Sequence, residues 1–339
     1  MVRVLIASPL EPELVERIRA VDARLEVVYR ADLLAEQRYP GDHHPPIQRS
    51  PAQAAEWASL LAEAEVLFDV DAPSYTDFER RAPRVRWIQA SSSGIGEWVR
   101  LLGIVESPIV VSNAAGIHSV PLAEFVVFSM LYFAKNWPRM AAEQRAHHWE
   151  RCAIETLSGK TLGIIGLGNV GRTAARLARP FGMRTIGLRR SPSPGDAQGV
   201  DAVYAPDGLR KLLAESDYLA LCLPHTSETV GLLGAAEIAS IKPGAVLINI
   251  ARGSVVDEPA MLEALRSGHL RGAALDVVAR EPLAGDSPLW DMPNVLITPH
   301  SMSTGIDENE RLTTLFCDNL RRYLAEQPLH NVIDKVRGY

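Results

Sequence analysis

Arg252, Glu281 and His300 each come soon after a short apolar run. AVLINIA precedes the arginine, GAALDV ends at Asp276 five residues before the glutamate, and VLITP runs directly into the histidine. Such runs read as buried strands of a parallel sheet, and an open α/β sheet holds its ligands at the C-terminal ends of its strands. The three side chains together suit reduction of a 2-keto acid. An arginine can grip a carboxylate with two parallel bonds and polarise the neighbouring ketone. A histidine can supply the proton as a carbonyl becomes a hydroxyl. A carboxylate bonded to an imidazole holds the ring in place and favours the charged form. Each residue also has a plainer reading: Arg252 as a helix cap or a partner of Asp257, Glu281 as the start of a loop, His300 as an interface histidine. Their common place at the lip of one sheet favours the catalytic reading.

The element that would bring a redox partner to that lip lies upstream. TLGIIGLGNVGRTAARLARPFGMRTIGLRR (161–190) reads as strand, glycine turn, amphipathic helix and second strand, with Gly166, Gly168 and Gly171 spaced G-x-G-x-x-G. The first glycine allows the tight turn, the second lets a diphosphate approach the backbone, and the third lets helix and strand pack closely. The helix N-terminus then faces the diphosphate. An acidic residue at the end of the second strand ordinarily accepts the adenosine ribose hydroxyls. Here Arg189 stands 18 residues after Gly171, followed by Arg190 and Ser191. Arginine attracts a 2′-phosphate, so the expected cofactor is NADP in preference to NAD. The competing reading leaves an arginine solvated and NAD bound without a carboxylate contact.

The whole chain allows this architecture. Its 339 residues suffice for two domains with separate cores. Hydrophobic residues at 47% and charged residues at 22% are ordinary for a globular protein. A net charge of −6 gives no electrostatic footprint for nucleic acid or an anionic membrane. Three widely spaced cysteines (Cys152, Cys222, Cys317) suggest unpaired thiols in a reducing compartment, hence the cytoplasm. No Cys/His cluster suggests a metal. The opening MVRVLIASPL reads as a strand rather than a signal peptide, and the longest apolar run, Phe125 to Ala134, is too short to span a membrane.

Along the chain, residues 1–35 read as strand, helix, strand. Pro40 to Pro51, PGDHHPPIQRSP, is loop, with adjacent His43 and His44 read as solvated. A helix over Ala52 to Ala64 and the strands AEVLFDV and VRWIQA follow. The second strand runs into Ser91-Ser92-Ser93-Gly94-Ile95-Gly96, either an ordinary strand-to-helix loop or a nest of amides for a carboxylate. Ser119 to Phe133 is apolar nearly all round and reads as a buried helix. From Thr161 to His300 strands and helices alternate through LGIIGL, RTIGLR, YLALCL, AVLINI, GAALDVV and VLITP, the mark of a doubly wound parallel sheet. Asp307 to Gln327 is a last helix.

These segments resemble the D-isomer-specific 2-hydroxyacid dehydrogenase family, glyoxylate/hydroxypyruvate reductases among them. The resemblance rests on SNAAGIHSVPLAEFVV (112–127), LGIIGLGNVG (162–171), LCLPHTSETVGLL (221–233), KPGAVLINIARGSVVDEPAMLEALRSGHLRGAALDVVAREPL (242–283) and PNVLITPH (293–300). It implies an α/β fold of two flavodoxin/Rossmann-like domains, with a cofactor domain (116–304) inserted into a substrate domain (1–115 and 305–339). It implies Arg252 as the substrate-binding arginine, His300 as acid/base, Glu281 as its partner, and Ser92, Ser93, Gly94 and Ile95 as the carboxylate loop. It places Asn169 and Val170 at the pyrophosphate, with Leu223 and Pro224 also at the cofactor. Ile250, Ala251, Arg252, Asp276, His300 and Ser303 would lie near the nicotinamide end. It further implies a homodimer, for which 119–150 is the candidate surface, with Trp137 and Trp149 as anchors or as core.

Two departures stand out: the proline-rich 40–51 loop enlarges the N-terminal part, and Ser-Met-Ser follows His300, so that Met302 could narrow the pocket or touch the nicotinamide. The leading expectation is an NAD(P)H-dependent reductase of a small 2-keto acid. The alternatives are oxidation of another small anion such as phosphite, and a dinucleotide-sensing regulator on the same fold.

Overall fold

The computed structural model describes residues 1–43, 45–192, 195 and 199–338. The chain forms two compact units, one of Met1–His118 with Thr304–Tyr339 and one of Ser119–Ser303.

The first unit is built on five parallel strands: β1 (Val2–Ile6), β2 (Leu25–Val28), β3 (Val66–Phe68), β4 (Trp87–Gln89) and β5 (Val110–Ser112), in the order β2-β1-β3-β4-β5. Successive residues of β1 serve opposite faces, as the pleat requires. Val4 and Ile6 join Phe68, Trp87, Leu312 and Phe316 on one side. Leu5 packs with Trp57, Leu61, Leu67 and Ile88 on the other. The helix Glu308–Leu324 therefore returns the chain's end to this unit through its apolar stripe.

The second unit holds β6 (Thr161–Ile165), β7 (Arg184–Leu188), β8 (Ala202–Tyr204), β9 (Tyr218–Leu221), β10 (Ala245–Asn249), β11 (Leu270–Leu275) and β12 (Val295–Ile297), all parallel, in the order β12-β11-β10-β9-β6-β7-β8. The doubly wound expectation is met. From β6 the chain winds one way to β7 and β8, then crosses back to β9 and winds the other way. The switch lies between β6 and β9, beside the glycine turn. Leu162 and Ile164 pack with Ala220, Val246 and Ile248 on one face, while Ile165 packs with Leu221 and Leu247 on the other. Covering both faces demands the unbroken apolar runs that the sequence displays.

The pairing register sets up the chemistry. Ile297 pairs with Leu275, Leu275 with Asn249, Asn249 with Leu221, Leu221 with Ile165, and Ile165 with Leu188. Six strand ends are thereby aligned along one edge.

Three expectations need correction. Strand β8 adds to the strands the sequence marks: three half-buried residues at a sheet edge are too short an apolar run to signal one. The helix Ser119–Ala134 is buried on one face only, through Ala123, Phe125, Val126, Met130 and Phe133, while Phe128 is 50% exposed. The 40–51 loop is not solvated throughout. Asp42 and His43 are buried, with His43 Nδ1 2.8 Å from the Ser8 hydroxyl; His44 lies outside the described residues.

Gly171 is where the turn tolerates no side chain. A Cβ there would lie 2.2 Å from the Gly166 carbonyl oxygen. Gly171→Ala is therefore expected to destabilise the protein by about 1–3 kcal/mol, the usual cost of overpacking, as measured by denaturant unfolding.

Candidate active site

The glycine turn leaves β6 with Gly166 at φ +103°, and a Cβ there would fall 2.5 Å from the Cys222 carbonyl oxygen, so no other residue suits the position. Gly168 then caps the helix Asn169–Ala178 with no side chain of its own, and a Cβ on it would meet nothing within 4 Å. The backbone is thus open to a bulky group just where the first amides of a ten-residue helix, those of Asn169 and Val170, point outward. A dinucleotide diphosphate fits this arrangement by shape and by dipole.

Beyond β10 the chain turns sharply. The buried Asn249 accepts from the Ala251 amide (3.1 Å) and donates to the Arg252 carbonyl (3.1 Å), which fixes Ile250 and Ala251. The Arg252 guanidinium bonds the Ala251 carbonyl at 2.8 Å. Gly253 follows because the turn presses on the next segment; a Cβ would lie 1.9 Å from the Val278 carbonyl. Asp257 does not pair with Arg252. Its carboxylate caps the helix Glu258–Arg266 by accepting from the Ala260 amide.

Asp276, just past β11, organises the histidine segment. Its buried carboxylate accepts from the Thr298 hydroxyl (2.7 Å) and from the amides of Ser301 (3.0 Å) and Met302 (3.3 Å). Its carbonyl accepts from the His300 amide at 2.9 Å. His300 sits between these bonds in the left-handed region, φ +52°, a conformation uncommon outside glycine and held here by its surroundings. Its Nδ1 donates to Glu281 Oε2 at 2.7 Å, while Glu281 Oε1 accepts from the Val278 amide at 3.3 Å. With Nδ1 engaged, Nε2 is the ring nitrogen left to meet a ligand. Met302 packs partly buried against the core of this unit, and Ser303 is half-buried beside it.

At the β7 end the Arg189 amide bonds the Tyr204 carbonyl of β8, and both arginine side chains are exposed, as is Ser191. Arg190 Nη1 lies 3.1 Å from Glu228 Oε2. Nothing in the sequence around Glu228 marks it as a carboxylate that pairs with an arginine 38 residues away. Glu228 belongs to the turn after β9 that begins at Leu223 and Pro224, where the Thr229 hydroxyl bonds the Pro224 carbonyl.

In the first unit, the loop after β4 has its carbonyls tied down. Ser92 O accepts from the Ala114 amide (3.1 Å) and Ser93 O from the Asn113 side chain (2.8 Å). Ser91 donates to Asp69, and Ile95 is buried. Because a peptide's N–H points opposite to its C=O, the amides of Ser93 and Gly94 face away from the 113–114 segment.

A glycine turn at the switch point of a parallel sheet, with an arginine and a carboxylate-bound histidine along the same edge, defines a nicotinamide-dependent oxidoreductase. Residues 127–301 match the family described as D-isomer specific 2-hydroxyacid dehydrogenase, NAD binding domain, and the chain belongs to that family. Among its relatives is glyoxylate/hydroxypyruvate reductase B of Pectobacterium carotovorum subsp. carotovorum, 34% identical over 281 residues, 81% of this chain and 87% of the relative. D-3-phosphoglycerate dehydrogenase of Methanocaldococcus jannaschii is 31% identical across 82% of this chain, which spans 53% of that longer protein. A D-isomer specific 2-hydroxyacid dehydrogenase of Xanthobacter autotrophicus, solved with NADPH and MES, shares the fold at TM-score 0.79 and 30% identity, covering 99% of both chains. The NADPH-dependent glyoxylate/hydroxypyruvate reductase of Sinorhizobium meliloti, solved with NADP and sulfate, gives TM-score 0.81 at 28% identity over 100% of both. The protein is an NAD(P)-dependent oxidoreductase of 2-hydroxy acids. No helix among the described residues is long and apolar enough to cross a membrane.

Asp276→Ala would strand two half-buried amides and the Thr298 hydroxyl. Unfolding measurements are expected to show a loss of about 1–3 kcal/mol, the usual cost of unpaired buried donors.

Proposed function

We propose that the chain reduces a small 2-keto acid of the size of glyoxylate or hydroxypyruvate, with Arg252, Glu281 and His300 carrying the chemistry. The observation that supports this most is the 2.7 Å bond from His300 to Glu281, made by side chains from the ends of adjacent strands. When bound, the nicotinamide cofactor supplies hydride-transfer chemistry at its ring C4. The protein's own share is proton transfer and charge stabilisation. Arg252 binds the substrate carboxylate and draws electron density toward the keto oxygen. His300 Nε2 gives its proton to that oxygen, and Glu281 holds the ring and balances its charge. Ser92, Ser93, Gly94 and Ile95 form a nest whose outward amides suit a carboxylate. His300→Ala should lower kcat by roughly 10²–10⁴, followed by NADPH absorbance with a panel of 2-keto acids; near-wild-type turnover would remove His300 from the mechanism.

Cofactor contacts are assigned to Gly166, Gly168, Asn169, Val170 and Gly171 at the diphosphate. Leu223, Pro224, Ile250, Ala251, Arg252, Asp276, His300 and Ser303 line the remaining strand ends. NADP is favoured over NAD, because Arg189, Arg190 and Ser191 stand where an acidic residue would repel a 2′-phosphate. The Arg190–Glu228 pair is exposed, and pairs of that kind contribute about 0–1 kcal/mol, so a phosphate competes readily with the carboxylate. Two of the structural relatives were solved with NADPH or NADP. The KM for NADPH should fall well below that for NADH, and the Arg189→Ala/Arg190→Ala double variant should lose most of the difference. Equal values in the wild type would overturn the preference.

The 119–150 region is proposed as a homodimer surface. It presents Val120, Phe128, Trp137 and Trp149, the last 96% exposed, and exposed aromatics of this kind are common interface anchors. Sedimentation at micromolar concentration should show dimers; Trp137→Ala/Trp149→Ala should shift the equilibrium toward monomer.

A further inference from the structure

A partly buried polar chain runs through the first unit and ends on the candidate carboxylate loop. The Ser93 hydroxyl lies 3.2 Å from His118 Nδ1, and His118 Nε2 lies 3.1 Å from Glu308 Oε1. On the other side of the same carboxylate oxygen stands His43 Nε2 at 3.9 Å, with His43 Nδ1 bonded to the buried Ser8. Three separated segments therefore gather around Glu308 at the start of the last helix: residue 118, the proline-rich loop and, through His43, the β1 loop.

The carboxylate is buried, and its Oε2 has no hydrogen-bond partner among the described residues. Gly41 leaves it room; a Cβ at that position, φ +80°, would stand 3.4 Å from Oε2. No lysine or arginine among the described residues pairs with Glu308. Arg311, one turn along, bonds the Ile117 carbonyl and Asp307, and Asn309 bonds Glu11. A half-satisfied buried carboxylate costs stability, and an apolar residue would pack the site at less cost. Its arrangement calls for a role other than stability.

The geometry points to that role: His118 and Glu308 are positioning residues for the anion-binding loop. Glu308 accepts the Nε2 proton and so turns Nδ1 toward Ser93, which clamps the loop's hydroxyl. The loop carbonyls are already held by Asn113 and Ala114. Clamping the side chain as well leaves the Ser93 and Gly94 amides preset for a carboxylate, so no ordering cost falls on binding. The proline-rich loop gains a purpose as the second wall of this carboxylate. The inference rests on the reading of Ser92–Ile95 as the carboxylate loop.

Titration of oxalate by calorimetry reports carboxylate binding whether or not any acid is turned over. His118→Ala should weaken oxalate roughly three- to tenfold, the worth of one hydrogen bond, and raise the keto-acid KM alike. Its kcat and NADPH KM should stay within about twofold of wild type. Ser93→Ala should likewise weaken oxalate, and the Ser93→Ala/His118→Ala pair should bind oxalate no worse than the worse single change, since both break one chain. Glu308→Gln, whose amide oxygen still accepts from Nε2, should restore most of the binding lost in Glu308→Ala. If His118→Ala fails to fold, His118→Asn, too short to bridge both partners, is read in the same way. Unchanged oxalate affinity, additive losses, an NADPH KM that moves in step, or a wild type that binds no oxalate would each overturn the inference. Oxalate binding that behaves as described, without reduction of any 2-keto acid, would overturn the functional reading and leave the clamp standing.

Discussion

The parallel register of the seven-stranded sheet is the constraint on which the second unit depends. Hydrogen bonds along β12, β11, β10, β9, β6 and β7 hold Ile297, Leu275, Asn249, Leu221, Ile165 and Leu188 level. Every residue assigned to chemistry in that unit leaves the sheet within a few positions of this line. Were β12 to slip by two residues against β11, each inward side chain would find an equivalent slot, yet His300 would move roughly 6–7 Å from Glu281. The core holds the register because both faces are packed, and a one-residue slip would exchange side chains between two faces that differ in size and partners.

Alignment of strand ends is coarse, and short-range bonds refine it to hydrogen-bonding precision. Asn249 ties down the turn bearing Arg252, and Asp276 gathers Thr298, Ser301 and Met302 around His300. Gly171 and Gly253 work by absence, since each lets one backbone lie against another where a methyl group would collide. The site is thus built on rigid elements, with a supporting layer of buried polar groups whose partners are satisfied. Glu308 in the first unit differs, since its buried Oε2 has no hydrogen-bond partner among the described residues.

Much of this was legible because parallel strands covered on both faces leave unbroken apolar runs, and because the glycine turn has a spacing that other functions seldom require. Legibility failed where burial is partial or supplied from afar. Strand β8 contributes only Ala202, Val203 and Tyr204 at an edge, too few to carry a period. Helix Ser119–Ala134 is apolar on the face that packs and on the face that does not, so its composition hid the exposure of Phe128. His43 looked solvated amid prolines, but Ser8 and Glu308, distant in sequence, enclose it.

The sequence by itself determined the fold class, the family and the identity of the candidate groups, because strand burial, turn geometry and residue chemistry are local properties. Tertiary structure alone decided the pairings: His300 with Glu281, Arg190 with Glu228, His118 with Ser93 and Glu308. Such contacts join residues 19, 38, 25 and 190 positions apart. No local pattern encodes a distance of that kind. It arises when sheet register and core packing bring separate strand ends and loops to one place.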